Sequence, residues 1–291
     1  MAAIVGVHGI AQQYGGGYQL RSVWFDALRD GLAAAGHRPV ADALAPADLQ
    51  VAFFGDLFRP EGALAGGEPP YTPADVEPGP ERDLLERWYE AAIKQDPSSL
   101  GPTPLAMGPG KVAVQAMLER SLRSRSFARV AQRAFIGNLK QVTAFLAKPG
   151  VKEEVLQRVA REVTPQTRVI IGHSLGSVVV YEYLARYRPP QVELVVTLGS
   201  PLGIPNLVFE RLTPAPAEGV GAWPGQVPGW VNVVDADDVV ALRKQLAPLF
   251  PAPSGGAGVE DHMVDNGDEP HAIDRYLNAA LTGRALGHVL G

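Results

Sequence analysis

Val169-Ile170-Ile171-Gly172-His173-Ser174-Leu175-Gly176-Ser177-Val178-Val179-Val180-Tyr181 decides how the chain is read. The apolar β-branched run at its start has the character of a strand buried on both faces. The apolar segment at its end opens a helix expected over Leu175–Tyr187. Between them stands the pattern Gly-x-Ser-x-Gly. A sharp strand-to-helix turn forces unusual φ/ψ angles on the serine, and flanking glycines remove the side chains that would clash. The helix start behind it offers backbone N–H groups and the positive end of a dipole to a developing oxyanion. A glycine-rich turn with an idle serine is the plain alternative. The strand before the pattern and the helix after it favour a nucleophile at Ser174.

Working outward, the same strand and helix rhythm recurs. Residues 3–7 form a short apolar strand that ends at His8-Gly9-Ile10. After the glycine-rich Gly15-Gly16-Gly17, the stripe Leu20, Trp24, Leu28 and Leu32 reads as an amphipathic helix, and Leu49–Phe54 as a second strand. Arg168–Gly172, Val192–Leu198 and Trp230–Val234 are further strands, and the last helix is expected over about 271–281. Strands alternating with helices at this spacing imply a mostly parallel sheet with helices on both faces. The rhythm breaks over 57–149. A stretch rich in proline and glycine, 59–80, leads into helical segments at about 81–95, 111–123 and 126–147. The last of these shows Phe127, Ala131, Phe135, Leu139, Val142 and Leu146 along one face. The expected organisation is a core of residues 1–56 and 150–291 with a helical cap or lid inserted at 57–149.

Composition narrows the functions. Cysteine is absent, which removes disulfides, thiolate nucleophiles and Cys-ligated zinc. A net charge of −5 gives no general attraction to phosphate, so nucleic acid is not an expected partner. No apolar run approaches the roughly 18 residues of a membrane span, and Met1-Ala2-Ala3 lacks a basic leader. A protein of the cytoplasm, without membrane partner, cofactor or metal, is expected.

A serine nucleophile needs a base, because its hydroxyl is a poor nucleophile at neutral pH. Six histidines are available. His37 and His288 read as surface residues, His8 as structural, and His173 would have to fold back on its neighbour. His271, at the start of the last helix, is favoured over His262. The acid that orients the imidazole is sought in Val234-Asp235-Ala236-Asp237-Asp238-Val239-Val240, directly after a strand. That cluster leaves Asp235, Asp237 and Asp238 open, with a cation site as the competing use. The backbone N–H groups of Ile10 and Leu175 are the candidate oxyanion donors.

The order of oxyanion loop, Ser, Asp and His resembles the α/β-hydrolase superfamily. Val7-His8-Gly9-Ile10, Gly172–Gly176 and Leu198-Gly199-Ser200-Pro201 are similar to bacterial lipases and esterases with that fold. The resemblance covers about residues 3–56 and 150–281. It implies the α/β-hydrolase fold, with a cap or lid in 57–149, and lacks the leading strands of larger members. It also implies an acid about three residues beyond the strand and followed by a hydrophobic pair. That position is Asp238, with Asp235 as a turn-former. The implied activity is cleavage of a carboxylic ester or thioester through an acyl-serine, with Ser174, His271 and Asp238 as the catalytic residues. Acyl transfer or lactone formation by the same residues is the alternative, and a non-catalytic ligand-binding protein on the same fold is another. The small-molecule acyl substrate is the expected partner. Arg120, Arg123, Arg125, Arg129 and Arg133 read first as a solvated helix face, with an acidic carrier protein as the other use.

Overall fold

A computed structural model of the chain describes residues 2–59, 71–95, 111–122, 132–253 and 255–291. One sheet organises it. Its strands are β1 (Ile4–Val7), β2 (Leu49–Ala52), β3 (Val169–His173), β4 (Leu194–Leu198), β5 (Gly229–Asp235) and β6 (Glu260–Val264). The order is β2-β1-β3-β4-β5-β6, and every neighbouring pair runs parallel. Parallel neighbours need crossover connections, and these place helices on both faces.

The inner strands are apolar because both of their faces are covered. Ile4, Val169, Ile171, Val196 and Val233 belong to one hydrophobic cluster, while Val5, Ile170 and Val195 belong to the other. The first face is closed by α1 (Gly17–Ala34) through Trp24, Leu28 and Leu32. Beside α1, on the same face, pack α8 (Ile273–Asn278) and α9 (Ala280–Leu290). The short α2 (Arg38–Ala43) follows α1.

The opposite face carries α3 (Pro80–Gln95), α4 (Lys111–Ser121), α5 (Gln132–Ala147), α6 (Pro149–Glu162) and α7 (Leu175–Tyr187). Trp88 of α3, Met117 of α4 and Phe135, Leu139 and Phe145 of α5 are fully buried in the same cluster as Val5 and Ile170. Buried residues run without a gap from Leu175 to Leu184 along α7, the pattern of a helix enclosed on all sides. Phe127 and Ala131 of the apolar face read from the sequence lie outside the described residues, as do Arg123, Arg125 and Arg129.

Two elements differ from the sequence reading. Strand β6 was not expected, because Glu260-Asp261-His262-Met263-Val264 has neither an apolar run nor a clean alternation. It is an edge strand with a half-exposed surface, and polar side chains suit that position. The final helix is also longer and broken: α8 stops at Asn278, Ala279 is extended, and α9 continues to Leu290. His288 therefore sits on a helix, where its ring meets His37 edge-on at 5.8 Å.

The strand order places the site. From β1 the chain moves outward to β2, then returns to the other side of β1 as β3. The loops after β1 and β3 diverge at their carboxyl ends, and in open parallel sheets ligands bind in the crevice at such a reversal.

Candidate active site

His8-Gly9-Ile10 follows β1, and Ser174 follows β3 next to it. Ser174 has φ 53° and ψ −128°, a conformation that L residues rarely adopt. It is held there by its own N–H, which donates to Leu198 O at 3.0 Å, and by Ser177 Oγ, which donates to Gly172 O at 3.0 Å. A methyl group at Gly9 would come within 2.6 Å of Ser174 Cβ. One at Gly176 would come within 2.0 Å of Val7 O. Both glycines are therefore where two backbones meet, and the loop after β1 lies directly against the serine. Leu175 opens α7, so its N–H belongs to the first turn, whose donors have no carbonyl partner inside the helix.

His8 ties β1 to β2. Its Nδ1–H donates to Gly9 O at 2.6 Å, and its Nε2 accepts the Phe54 N–H at 3.0 Å. Burial pushes its pKa down to about 4, so the ring is neutral. Both nitrogens are engaged, which leaves it no lone pair for proton abstraction.

The acid and base come from the other end of the sheet. His271 Nδ1 donates to Asp238 Oδ2 at 2.7 Å. The same oxygen accepts the Tyr276 hydroxyl at 2.7 Å, and Oδ1 accepts Val240 N–H at 2.9 Å. Asp238 is completely buried. Burial alone pushes its carboxyl pKa up. The His271 ring, the hydrogen bonds from His271 and Tyr276, and the Lys244 ammonium outweigh that and hold it below the usual range. Asp238 is therefore charged, and its bond to Nδ1 fixes the tautomer with a lone pair on His271 Nε2. That Nε2 is buried and has no hydrogen-bond partner among the described residues.

Asp235 plays a different part. Its Oδ1 accepts the Asp237 N–H at 2.7 Å, closing the turn, and its Oδ2 accepts the Asn266 N–H. Asn266 Nδ2 in turn donates to Pro270 O at 3.0 Å. Asp235 thus ties the loop that delivers His271 to the end of β5. Tyr276 links the two aspartates, donating to Asp238 and accepting the Asp235 N–H at 2.9 Å. Gly199, with φ 53°, lies against the pair: a methyl group there would reach Asp238 Oδ2 at 2.6 Å and His271 Nδ1 at 3.1 Å.

His173 joins the halves. Its Nε2–H donates to His271 O at 3.0 Å, and the two rings approach to 4.7 Å between centroids. Burial, with the His271 ring close by, pushes its pKa down to about 3. Instead of folding back on Ser174, this side chain reaches across to the backbone of the base. His262 sits on β6, paired with Glu260 at 3.8 Å. The geometry therefore brings Asp238 and His271 together, with the neighbour of Ser174 in contact with both the ring and the backbone of His271.

Neither family models, nor curated proteins, nor solved structures give a match to this chain.

Tyr276 and Asn266 had no signal in the sequence, because each reaches the aspartates across a gap of many residues. His173 lies in the serine turn and Gly199 directly after a strand, but their closeness to His271 left no trace there. Among the described residues there is no cluster of three metal-ligating side chains, and no helix is long and apolar enough to cross a membrane. A cavity of about 390 Å³ is lined by Gln13, Phe58, Tyr71, Lys140, Gln141 and Val151 among others. Ser174 and His271 are not among its lining residues.

Proposed function

We propose that the protein is a serine hydrolase of the α/β-hydrolase type, cleaving a carboxylic ester or thioester through an acyl-serine. The observation that carries this reading is the Asp238–His271 bond at 2.7 Å, which leaves a buried, unengaged Nε2 on a ring packed against His173, the neighbour of the strained Ser174. A base is useful only if its proton-accepting atom is free and its orientation is fixed, and this arrangement meets both conditions.

In this reading His271 Nε2 takes the Ser174 hydroxyl proton as Oγ attacks the acyl carbon. The oxyanion is met by the N–H groups of Leu175 and Ile10. The imidazolium, stabilised by Asp238, then gives its proton to the departing alkoxide or thiolate. Water attacks the acyl-serine by the same route, His271 taking its proton and returning it to Ser174 Oγ as the acid leaves. Hydrogen bonds at such sites are commonly long before substrate arrives, so the open Nε2 fits this cycle.

The test is a fluorophosphonate probe together with a panel of p-nitrophenyl esters and acyl thioesters. The expected result is covalent labelling of one peptide containing Ser174 and turnover of at least one acyl class. Absence of labelling and of turnover in folded protein refutes the reading.

A further inference from the structure

Gln141 is an anomaly on α5. It is almost fully buried, on a helix whose neighbouring positions are Phe135, Leu139, Val142 and Phe145. An amide in such a place is costly unless both of its ends are hydrogen-bonded. Both are. Gln141 Oε1 accepts the Ala11 N–H at 3.3 Å across 130 residues of sequence, and its Nε2 donates to Gln13 Oε1 at 3.0 Å.

The loop that it grips is the one after β1. Gly9 is pressed on Ser174, as described above. Further on, Arg59 Nε donates to Gln13 O at 2.5 Å, and a methyl group at Gly55 would come within 2.3 Å of Gln12 O. The loop is therefore anchored at both ends, and Ile10 and Ala11 span the interval. Ala11 has φ 66°, a left-handed conformation that an alanine adopts only when its surroundings hold it there. Among the described residues, the hydrogen bond that reaches this pair comes from Gln141.

We propose that Gln141 is a positioning residue that fixes the Ile10–Ala11 backbone, and with it the Ile10 N–H, for the developing oxyanion; this rests on the ester-cleaving reading above. The inserted helix then takes part in the chemistry without touching the substrate's reacting atoms. The donor must meet the oxygen where charge develops, and a displacement of a few tenths of an ångström changes the transition state more than the bound ester.

The experiment compares wild type, Gln141→Met and Gln141→Glu on p-nitrophenyl butyrate, with fluorophosphonate labelling rates and melting temperatures alongside. Gln141→Met keeps length and apolar packing but removes both hydrogen bonds. It should lower kcat by about 10–100-fold with KM within about twofold, and slow labelling in step. Gln141→Glu keeps an oxygen for the Ala11 N–H, and Gln13 can turn its amide to donate to the other, so much of the loss should return. A wild-type kcat in the folded Met variant overturns the inference, as does a loss confined to KM or to melting temperature. So does a Glu variant no better than Met. If Gln141→Met does not fold, Gln13→Met removes the far half of the relay and should show a smaller loss of the same kind, an unchanged kcat there counting against the proposal. A wild-type protein that neither labels nor turns over any ester refutes the parent reading, and this inference with it.

Discussion

The two halves of the site are built from different materials. The half at β1 and β3 is backbone: Gly9 against Ser174, Gly176 against Val7 O, and a serine at φ 53°. The half at β5 and β6 is side chain: a buried carboxylate with bonds from His271, Tyr276 and Val240, and a second carboxylate holding the loop at Asn266. Space limits the first half, where one added methyl group has nowhere to go. Charge limits the second, where replacing a carboxylate by its amide keeps the shape and removes the charge that faces His271. The two kinds of construction should therefore fail in different ways.

The largest effect belongs to Ser174→Ala, which removes the only proposed nucleophile. Turnover should fall by about 10⁴–10⁶-fold with the melting temperature nearly unchanged. Retention of a tenth of the activity would remove the serine from the scheme and the contrast with it. Asp238→Asn comes next, at about 10⁴-fold in kcat, because the amide no longer holds the imidazole tautomer or stabilises its charged form. Gly9→Ala sharpens the contrast from the other side. Its methyl group must push the loop off Ser174, so kcat should fall by about 10²-fold through a displaced oxyanion donor. A fully active Gly9→Ala variant would mean that the first half is not limited by space. Asp235→Asn should cost least, about tenfold, since it keeps the acceptor for Asp237 and loses the one for Asn266. Paired kinetics of the two aspartate variants decide their roles, and a reversed order would exchange them.

Acid should act on the fold itself. His8 and His173 are buried and neutral, with pKa values pushed down to about 4 and about 3. In the unfolded chain both titrate near 6.5, so below that pH the unfolded state binds protons that the folded state refuses. Stability is fully present above about pH 6.5 and falls as pH drops toward 4 and then 3. The full loss is about 3 kcal/mol for His8 and about 5 kcal/mol for His173. Denaturant melts at pH 7 and pH 4.5 should show this slope, and His173→Gln, which keeps a donor near His271 O, should reduce it. An unaltered slope in that variant would mean that other groups set the acid limit.

The contrast between the halves also explains what could be read in advance. The backbone half is local: strand, turn and helix are consecutive, and glycines at fixed positions mark where chains meet. β3, α7 and the sharp turn between them at Ser174 were legible for that reason. Asp238 and His271 were narrowed to a few residues each by their places after β5 and before α8. The network that separates Asp238 from Asp235 was not legible, because Tyr276 and Asn266 approach from another loop. Strand β6 was hidden by its polar edge composition. Helices α3, α4 and α5 could be placed by periodicity, but the contact from Gln141 to the Ala11 backbone left no trace in either segment.

The pairing of β1 with β3 also governs how the protein is made. Ile4 meets Val169, so this strand pair closes a loop of about 165 residues. At a synthesis rate of about 5–20 residues per second, β1 waits roughly 10–30 s after its own synthesis for β3 to be synthesised. During that time its apolar edge can pair with β2, or with another nascent chain. The serine turn and the loop that faces it cannot meet until the intervening helices have been made. Assembly of the site is thus a late, non-local event, slow to form by the usual dependence of folding rate on contact separation, and a cell making this protein quickly has reason to shield its first strand.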